Sequence, residues 1–167
     1  MPDEIVEKVL ASVDPASDHF EYVCFSQFNE PFLDQRIHRF IRSAQQRGFR
    51  VKIITNGLLL QNPTIVQRTL ETPPDFLKIS LQTPKREQYE QVRGVKLDFD
   101  VYLEGIQRFL SAAKDRPFEI VVDVGCNFLT PLGAWGRKVL GLRHGDPAVP
   151  DSVEEILPHV RLFLEGL

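Results

Sequence analysis

The sequence predicts an α/β fold, in which a parallel sheet of about four strands carries helices on its outer face. Four short, mostly apolar runs have the length of strands, at residues 21–28, 51–55, 76–81 and 118–125. Segments with apolar residues at helical spacing alternate with these runs, at residues 4–13, 34–49, 62–71 and 98–113. Nearly continuous apolar strands that alternate with helices are typical of parallel sheets, whose crossovers are right-handed.

The predicted helices have recognisable ends. Asp3 suits the N-cap of the first helix and Asp34 that of the second, because a carboxylate can accept hydrogen bonds from the first turn. Gly48 suits the position just past the second helix, where the backbone often becomes left-handed. Residues 85–93 predict a short helical stretch, which Gly94 separates from the helix over residues 98–113.

The predicted strands end at residues that interrupt a sheet. The first ends at Asn29-Glu30-Pro31, since proline cannot donate to a strand ladder, and Asn56-Gly57 closes the second. Residues 127–150 hold four glycines and three prolines and predict a loop. A last helix follows Asp151-Ser152 and should be kinked at Pro158. No repeat or linker divides the chain, so we expect a single domain over residues 1–167.

Composition narrows the classes of partner. The 20 Lys and Arg residues nearly balance the 23 Asp and Glu residues, and the formal charge of −3 gives no attraction to nucleic acid or to an anionic membrane. No apolar run approaches the roughly 20 residues of a membrane span, and the acidic start of the chain is unlike a signal peptide. We therefore expect a cytoplasmic protein without nucleic-acid or membrane partners.

The cysteines, histidines and arginines predict no metal site and no nucleic-acid surface. Cys24 and Cys126 are the two cysteines, too few for a disulfide framework or for a site of three or four thiolates. We expect Cys24, inside an apolar run, to be buried. The four histidines lack ligand spacing, and one helix with its flanks carries the basic residues expected to face solvent: Arg36, Arg39, Arg42, Arg47 and Arg50.

Ligands of parallel α/β folds bind at the carboxyl ends of the strands. The residues expected there are polar and include no histidine: Ser26, Gln27, Asn29, Glu30 and Pro31; Thr55, Asn56 and Gly57; Ser80, Gln82 and Thr83; Asp123, Cys126 and Asn127. They can hydrogen-bond a small polar ligand, but they contain no nucleophile–base pair and no glycine-rich phosphate loop.

Several of these residues also have a purely structural interpretation. Thr55-Asn56-Gly57 can be turn chemistry alone, because Asn-Gly tolerates a positive φ. Glu30 can be a solvated loop acid, and the Ser80 hydroxyl can pair with a neighbouring backbone group. The sequence by itself leaves both interpretations open.

Four segments, in order, resemble the radical S-adenosylmethionine (radical SAM) enzyme family. FNEPFLD at 28–34 resembles its Gly-Glu-Pro loop, and KIITNG at 52–57 its strand ending in Thr-Asn-Gly. FLKISLQT at 76–83 is similar to its Ile-Ser-Leu strand, and EQYEQVRG at 87–94 to the Tyr…Ile-Arg-Gly helix that follows. The resemblance covers residues 3–125 and implies a partial (βα) barrel of the radical SAM, TIM-like type.

The resemblance also implies a role for each matching residue. The loop of Asn29, Glu30 and Pro31 would bind the methionyl amino group of SAM, mostly through backbone carbonyls. Ser80 and Arg93 would hold the SAM carboxylate, a task that suits the planar fork of an arginine. Thr55 and Asn56 would contact SAM or shape the substrate side.

The family's catalytic cluster is the main departure. The resemblance implies a four-iron–four-sulfur cluster bound by a Cys-x3-Cys-x2-Cys loop after the first strand, but Cys24 and Cys126 cannot form this motif. The chain starts at what resembles the helix after that loop. We therefore expect a fragment of an enzyme that cleaves SAM reductively to a 5′-deoxyadenosyl radical for hydrogen abstraction, and we expect this chain alone to be inactive.

A second hypothesis is a relative without a cluster that acts as a SAM-binding or protein-interaction module. A partner chain, or a missing segment, would then pair with the open edge of the sheet. The substrate, a small molecule or a peptide, is not indicated by the sequence under either hypothesis.

Overall fold

The computed structural model describes residues 2–16, 20–26, 29–81, 86, 89, 97–123, 158, 161 and 165. Within residues 2–81 and 97–123, as far as they are described, the helices and strands are α1 (Asp3–Ala11), β1 (Val23–Cys24), α2 (Ile37–Gln46), β2 (Val51–Thr55), α3 (Pro63–Glu71), β3 (Phe76–Ser80), α4 (Phe99–Ala113) and β4 (Glu119–Asp123). Short 3₁₀ turns at Pro31–Leu33 and Leu58–Gln61 follow β1 and β2.

The four strands form one parallel sheet in the order β1-β2-β3-β4. Val51 lies opposite Val23, Leu77 opposite Ile53, and Ile120 opposite Leu77. Because consecutive strands are neighbours and parallel, each connection crosses back over the sheet. The predicted class is confirmed: a parallel, partial (βα) barrel of four strands with helices outside.

The core lies on one face of the sheet. Val51 and Ile53 of β2 and Leu77 and Ile79 of β3 are fully buried, and Ile41, Ile106 and Phe109 of the helices pack in the same cluster. The residues that alternate with them on the two strands, including Lys52 and Lys78, are only half-buried. The period-two alternation of burial thus distinguishes a helix-covered outer face from an inner face that carries charges.

The two predicted aspartate caps are wrong. Pro2 stands at the N-cap of α1, and Asp3 is the first helical residue, with its carboxylate paired to Arg36 and Arg39 of α2. Arg36 stands at the N-cap of α2, while Asp34 accepts a hydrogen bond from the Arg36 backbone N–H at 2.9 Å. The Arg36 guanidinium also donates to Asp34, which lowers the pKa of that carboxyl to about 2. Arginine pairing, rather than helix capping, is what places the two aspartates.

Gly48 lies where it was predicted, with φ at +86°. The Gly48 N–H donates to the Gln45 carbonyl and the Phe49 N–H to the Ala44 carbonyl, which is the Schellman arrangement that ends a helix. This boundary is confirmed because it depends on backbone geometry that glycine adopts without strain.

The first strand is shorter than predicted, and Cys24 is exposed rather than buried. Cys24 lies opposite Lys52, which places it on the inner face of the sheet. Beyond Cys24, the Ser26 hydroxyl replaces a backbone acceptor and takes the Ile54 N–H at 2.8 Å. Residues 25 and 26 therefore continue the apolar run but not the backbone pairing of the strand.

Four of the five basic residues around α2 are exposed, as predicted, and Arg36 is half-buried. Arg36 and Arg39 pair with Asp3, and Arg47 pairs with Glu7 at 2.7 Å, so most of them join α2 to α1. Arg42 donates to the Thr72 hydroxyl at 2.8 Å. The exposed arginines thus also form polar contacts with neighbouring elements.

Some predictions fall outside the described residues: Gln27, Gln82, Thr83, Arg93, Gly94, Cys126, Asn127, the loop at 127–150 and most of the last helix. Of the short helical stretch at 85–93, residues 86 and 89 are described and both are helical. In the parts of the chain that are described, no helix has the length and apolarity needed to span a membrane.

Candidate functional site

The Glu30 carboxylate joins the loop after β1 to the end of β2. Its Oε1 accepts a hydrogen bond from the Thr55 hydroxyl at 2.7 Å, and its Oε2 accepts one from the Asn56 N–H at 2.8 Å. The same carboxylate accepts from the Phe32 N–H at 3.3 Å and so begins the 3₁₀ turn Pro31–Leu33. The interpretation of Glu30 as a solvated loop acid is therefore wrong.

The Asn56-Gly57 turn is fixed by its own side chains. Gly57 has φ at +78°, as the sequence predicted for a turn of this composition. The Thr55 hydroxyl accepts the Gly57 N–H at 3.0 Å, and Asn56 Oδ1 accepts the Leu58 N–H at 2.9 Å. The predicted turn geometry is confirmed, and a ligand at this end of the sheet would meet a turn of defined shape.

Tyr102 of α4 also belongs to this network, although it was not among the residues predicted for the site. Its side chain is fully buried, and its hydroxyl donates to the Asn56 carbonyl at 2.7 Å. A buried tyrosine hydroxyl usually requires a hydrogen-bond partner, so its place on the buried stripe of α4 was the available signal. The partner itself is 46 positions away in the sequence and could not be identified from it.

Ser80 lies at the carboxyl end of β3, beside a charged pair on the inner face. Ser80 is opposite Asp123 of β4, and the Lys78 ammonium contacts the Asp123 carboxylate at 2.6 Å. The two side chains of this pair are 33% and 23% exposed. Sequence reasoning placed Asp123 at this end of the sheet but missed Lys78, whose place between Leu77 and Ile79 in the predicted strand was the available signal.

The structure brings most of the predicted site residues to one end of the sheet. Glu30, Thr55 and Asn56 share hydrogen bonds, and Asn29 and Pro31 flank Glu30 in the chain. Ser80 follows Ile79, which lies opposite Thr55 in the neighbouring strand. Arg93, the remaining predicted residue, lies outside the described residues.

The described residues do not fit an iron–sulfur cluster. Cys24 is exposed on β1, with its thiol directed to the Ser26 carbonyl at 3.2 Å. Nowhere in residues 2–16, 20–26, 29–81 or 97–123 do three His, Cys, Asp or Glu side chains form a group able to hold a metal. Iron–sulfur clusters are held by several cysteine thiolates, and Cys24 alone does not provide them.

The chain was compared with known proteins. The model described as the radical SAM superfamily matches residues 1–127, and no curated protein gives a significant match. Among solved structures, the crystal structure of archaeal TYW1 overlays with a TM-score of 0.47 at 21% sequence identity. That overlay covers 71% of this chain and 40% of that chain, so the chain spans less than half of that structure. Because the family model covers most of its length, the chain belongs to the radical SAM superfamily.

Proposed function

We propose that this domain binds SAM at the carboxyl ends of β1, β2 and β3 and orients it for reductive cleavage in a radical SAM enzyme. The Glu30 carboxylate carries the proposal, because it ties the loop after β1 to Thr55 and Asn56 at 2.7 and 2.8 Å. Two separate loops thereby become one preorganised rim, at the end of a parallel sheet where ligands of such folds bind.

The two ends of the methionyl group would meet different parts of this rim. Backbone carbonyls of the loop formed by Asn29, Glu30 and Pro31 would accept hydrogen bonds from the ammonium group. Ser80, at the end of β3, and Arg93 would bind the carboxylate, where a guanidinium can pair through two parallel hydrogen bonds. Since the Glu30 side chain is engaged in holding the loop, its contribution to binding would be positional.

In this family the bound SAM supplies a 5′-deoxyadenosyl radical, and an iron–sulfur cluster is implied as the source of the electron. The sequence contains two cysteines, Cys24 and Cys126, separated by 101 residues. We propose that the cluster thiolates are not those of this chain, and that the chain alone binds SAM without cleaving it. Its own residues would then serve binding and orientation, the usual contribution of a protein to cofactor chemistry.

Calorimetric titration with SAM tests this proposal. The wild-type chain should bind SAM, and 5′-methylthioadenosine, which lacks the amino-acid group, should bind more weakly. Arg93→Ala should weaken SAM binding by about 1.5–3 kcal/mol, the range for a hydrogen bond to a charged group. Arg108→Ala is the matched control, because Arg108 is exposed on α4 beside α3, away from the rim. Equal affinities for Arg93→Ala and the wild type would contradict the assignment.

One observation favours a protein-interaction role as a second candidate. Ile5 and Val9, one turn apart on α1, are 45% and 54% exposed, and β1 lies at an edge of the described sheet. An exposed apolar helix face and an open strand edge are each surfaces that a partner can cover. Sedimentation of wild-type and Ile5→Glu/Val9→Glu chains distinguishes the two roles: self-association lost in the variant, without SAM binding in the wild type, would favour the interaction module.

A further inference from the structure

We propose that Tyr102 is a positioning residue. Its hydroxyl, on α4, sets the geometry of the SAM-binding rim through a hydrogen bond to the Asn56 carbonyl. This inference rests on the proposed function for its consequence in SAM binding. Its structural basis is a chain of hydrogen bonds that begins at the Tyr102 hydroxyl on α4 and ends at the Glu30 carboxylate.

Each link of this chain donates in the same direction. The Tyr102 hydroxyl donates to the Asn56 carbonyl at 2.7 Å, and the N–H of the same peptide group, on Gly57, donates to the Thr55 hydroxyl at 3.0 Å. The Thr55 hydroxyl in turn donates to Glu30 Oε1 at 2.7 Å. Hydrogen bonds aligned in this way polarise one another, so loss of the first weakens those that follow.

Burial strengthens this chain of hydrogen bonds. Tyr102 is fully buried and Thr55 is only 1% exposed, so water cannot readily replace either hydroxyl. The chain ends on a carboxylate, and hydrogen bonds to a charged group are stronger than neutral ones. The Glu30 carboxylate also receives the Phe32 N–H, through which the orientation of the loop after β1 depends on the Asn56-Gly57 peptide.

The Tyr102 ring also packs in an aromatic cluster with Tyr89 and Phe99. Its centroid lies 5.0 Å from that of Tyr89 and 6.1 Å from that of Phe99. Tyr89 precedes Arg93 by four positions in the sequence. One side chain therefore contacts both the turn at Asn56 and the Tyr89 ring.

Tyr102→Phe separates the two contributions, because it removes the hydroxyl and keeps the ring. We expect the Asn56 and Phe32 amides to lose protection from hydrogen exchange by several-fold more than the change in global stability accounts for. We also expect SAM affinity to fall three- to tenfold, the loss that corresponds to about one net hydrogen bond.

A matched control and a double-mutant cycle exclude a merely structural role. Thr72→Val removes another buried hydroxyl, one that accepts a hydrogen bond from the Arg42 guanidinium, and should lower stability without changing SAM affinity or exchange at Phe32. The losses of SAM affinity in Tyr102→Phe and Glu30→Gln should be non-additive, since both substitutions disturb the same chain of hydrogen bonds. Additive losses, or wild-type affinity in Tyr102→Phe, would overturn the proposal.

The exchange measurement keeps the two proposals distinguishable. A wild-type chain that does not bind SAM contradicts the proposed function. In that case, exchange at Phe32 alone decides the role of Tyr102. Protection unchanged by Tyr102→Phe overturns this role, and selective loss of protection supports it.

Discussion

At the scale of single residues, Glu30 shows how one carboxylate can organise two loops. It accepts hydrogen bonds from Phe32, Thr55 and Asn56, which belong to the loop after β1 and to the end of β2. Removing one such acceptor would leave partly buried donors without partners, and that penalty exceeds the net contribution of an ordinary hydrogen bond.

Glu30→Gln should therefore lower the free energy of unfolding by about 2 kcal/mol, because one carboxylate oxygen becomes an NH₂ that faces N–H and O–H donors. Urea denaturation followed by circular dichroism measures the change. Glu104→Gln, at an exposed position on α4, is the control and should be close to neutral. A Glu30→Gln chain as stable as this control would contradict the structural role of the carboxylate.

His38 is a buried histidine that is neutral in the folded chain. The Thr69 hydroxyl donates to the Ile65 carbonyl at 2.8 Å, so it accepts from the His38 Nε2–H at 3.0 Å. The His38 ring also stacks on Phe32, with centroids 5.9 Å apart. Burial, aided by the charge of Arg68, lowers the pKa of His38 from 6.5 to about 4.

This lowered pKa predicts a pH dependence of stability. Between pH 6.5 and 4 the unfolded chain binds a proton at His38 that the folded chain does not, so stability is complete above pH 6.5 and is lost as the pH falls toward 4. The loss should reach at most about 3 kcal/mol. Urea midpoints at several pH values measure it, and His38→Gln should remove this slope. Asp34, with its pKa near 2, titrates below this window. A wild-type slope retained in His38→Gln would assign the effect to other groups.

At the scale of elements, α4 lies unusually close to the 3₁₀ turn Leu58–Gln61. A Cβ on Gly105 would lie 2.7 Å from Gln61 Cγ and 3.2 Å from Gln61 Cα. The side-chain atom can move, but the backbone contact requires the helix or the turn to shift. The close approach matters for the site, because this turn directly follows Asn56 and Gly57.

Gly105→Ala should destabilise the fold by about 1–2 kcal/mol, since the cost of overpacking exceeds the gain in helix propensity. Thermal unfolding measures the change, and Ser111→Ala, at an exposed position near the end of the same helix, is the control. An increase in stability for Gly105→Ala would show that the turn yields easily and that α4 does not fix its position.

Elements were predictable where a local pattern decides them. β2 matches its predicted bounds, because its short, mostly apolar run ends at the Asn56-Gly57 turn. The segments predicted to be helical start at Asn62 and Asp98, which are the N-caps of α3 and α4. The N-cap residues predicted for α1 and α2 were wrong because Asp3 and Asp34 pair with arginines instead. Helix and capping propensities depend on neighbours in sequence. The pairing of Asp3 with Arg36, 33 positions away, is instead decided by the packing of α1 against α2.

At the scale of the whole molecule, the chain supplies a sheet end with hydrogen-bonding loops but no set of cluster ligands among its described residues. Topology alone brings Glu30, Thr55 and Ser80 to one end, and this much of the site followed from the rule for parallel strands. Which atoms bond to which did not follow: the Tyr102 partner and the Lys78–Asp123 pair depend on side-chain directions that only the folded chain defines.

Anaerobic reconstitution with iron and sulfide tests whether the chain holds a cluster. We expect iron at background and no cluster absorption, because two cysteines far apart in sequence cannot supply the thiolates. Cys24→Ala and Cys126→Ala should give the same result as the wild type. A stoichiometric cluster that either substitution removes would mean that these cysteines are ligands and that the chain can itself form the radical.

The central claim is that SAM binds at the carboxyl ends of β1, β2 and β3. The most direct measurement is a titration of the ¹⁵N-labelled chain with SAM, followed by the shifts of the backbone amide signals. If SAM binds there, we expect the shifts to concentrate at residues 29–33 and 55–58 and at Ser80. Shifts confined to the groove between α3 and α4, which Leu60, Val66 and Leu70 line, would contradict it, as would the absence of shifts at millimolar SAM.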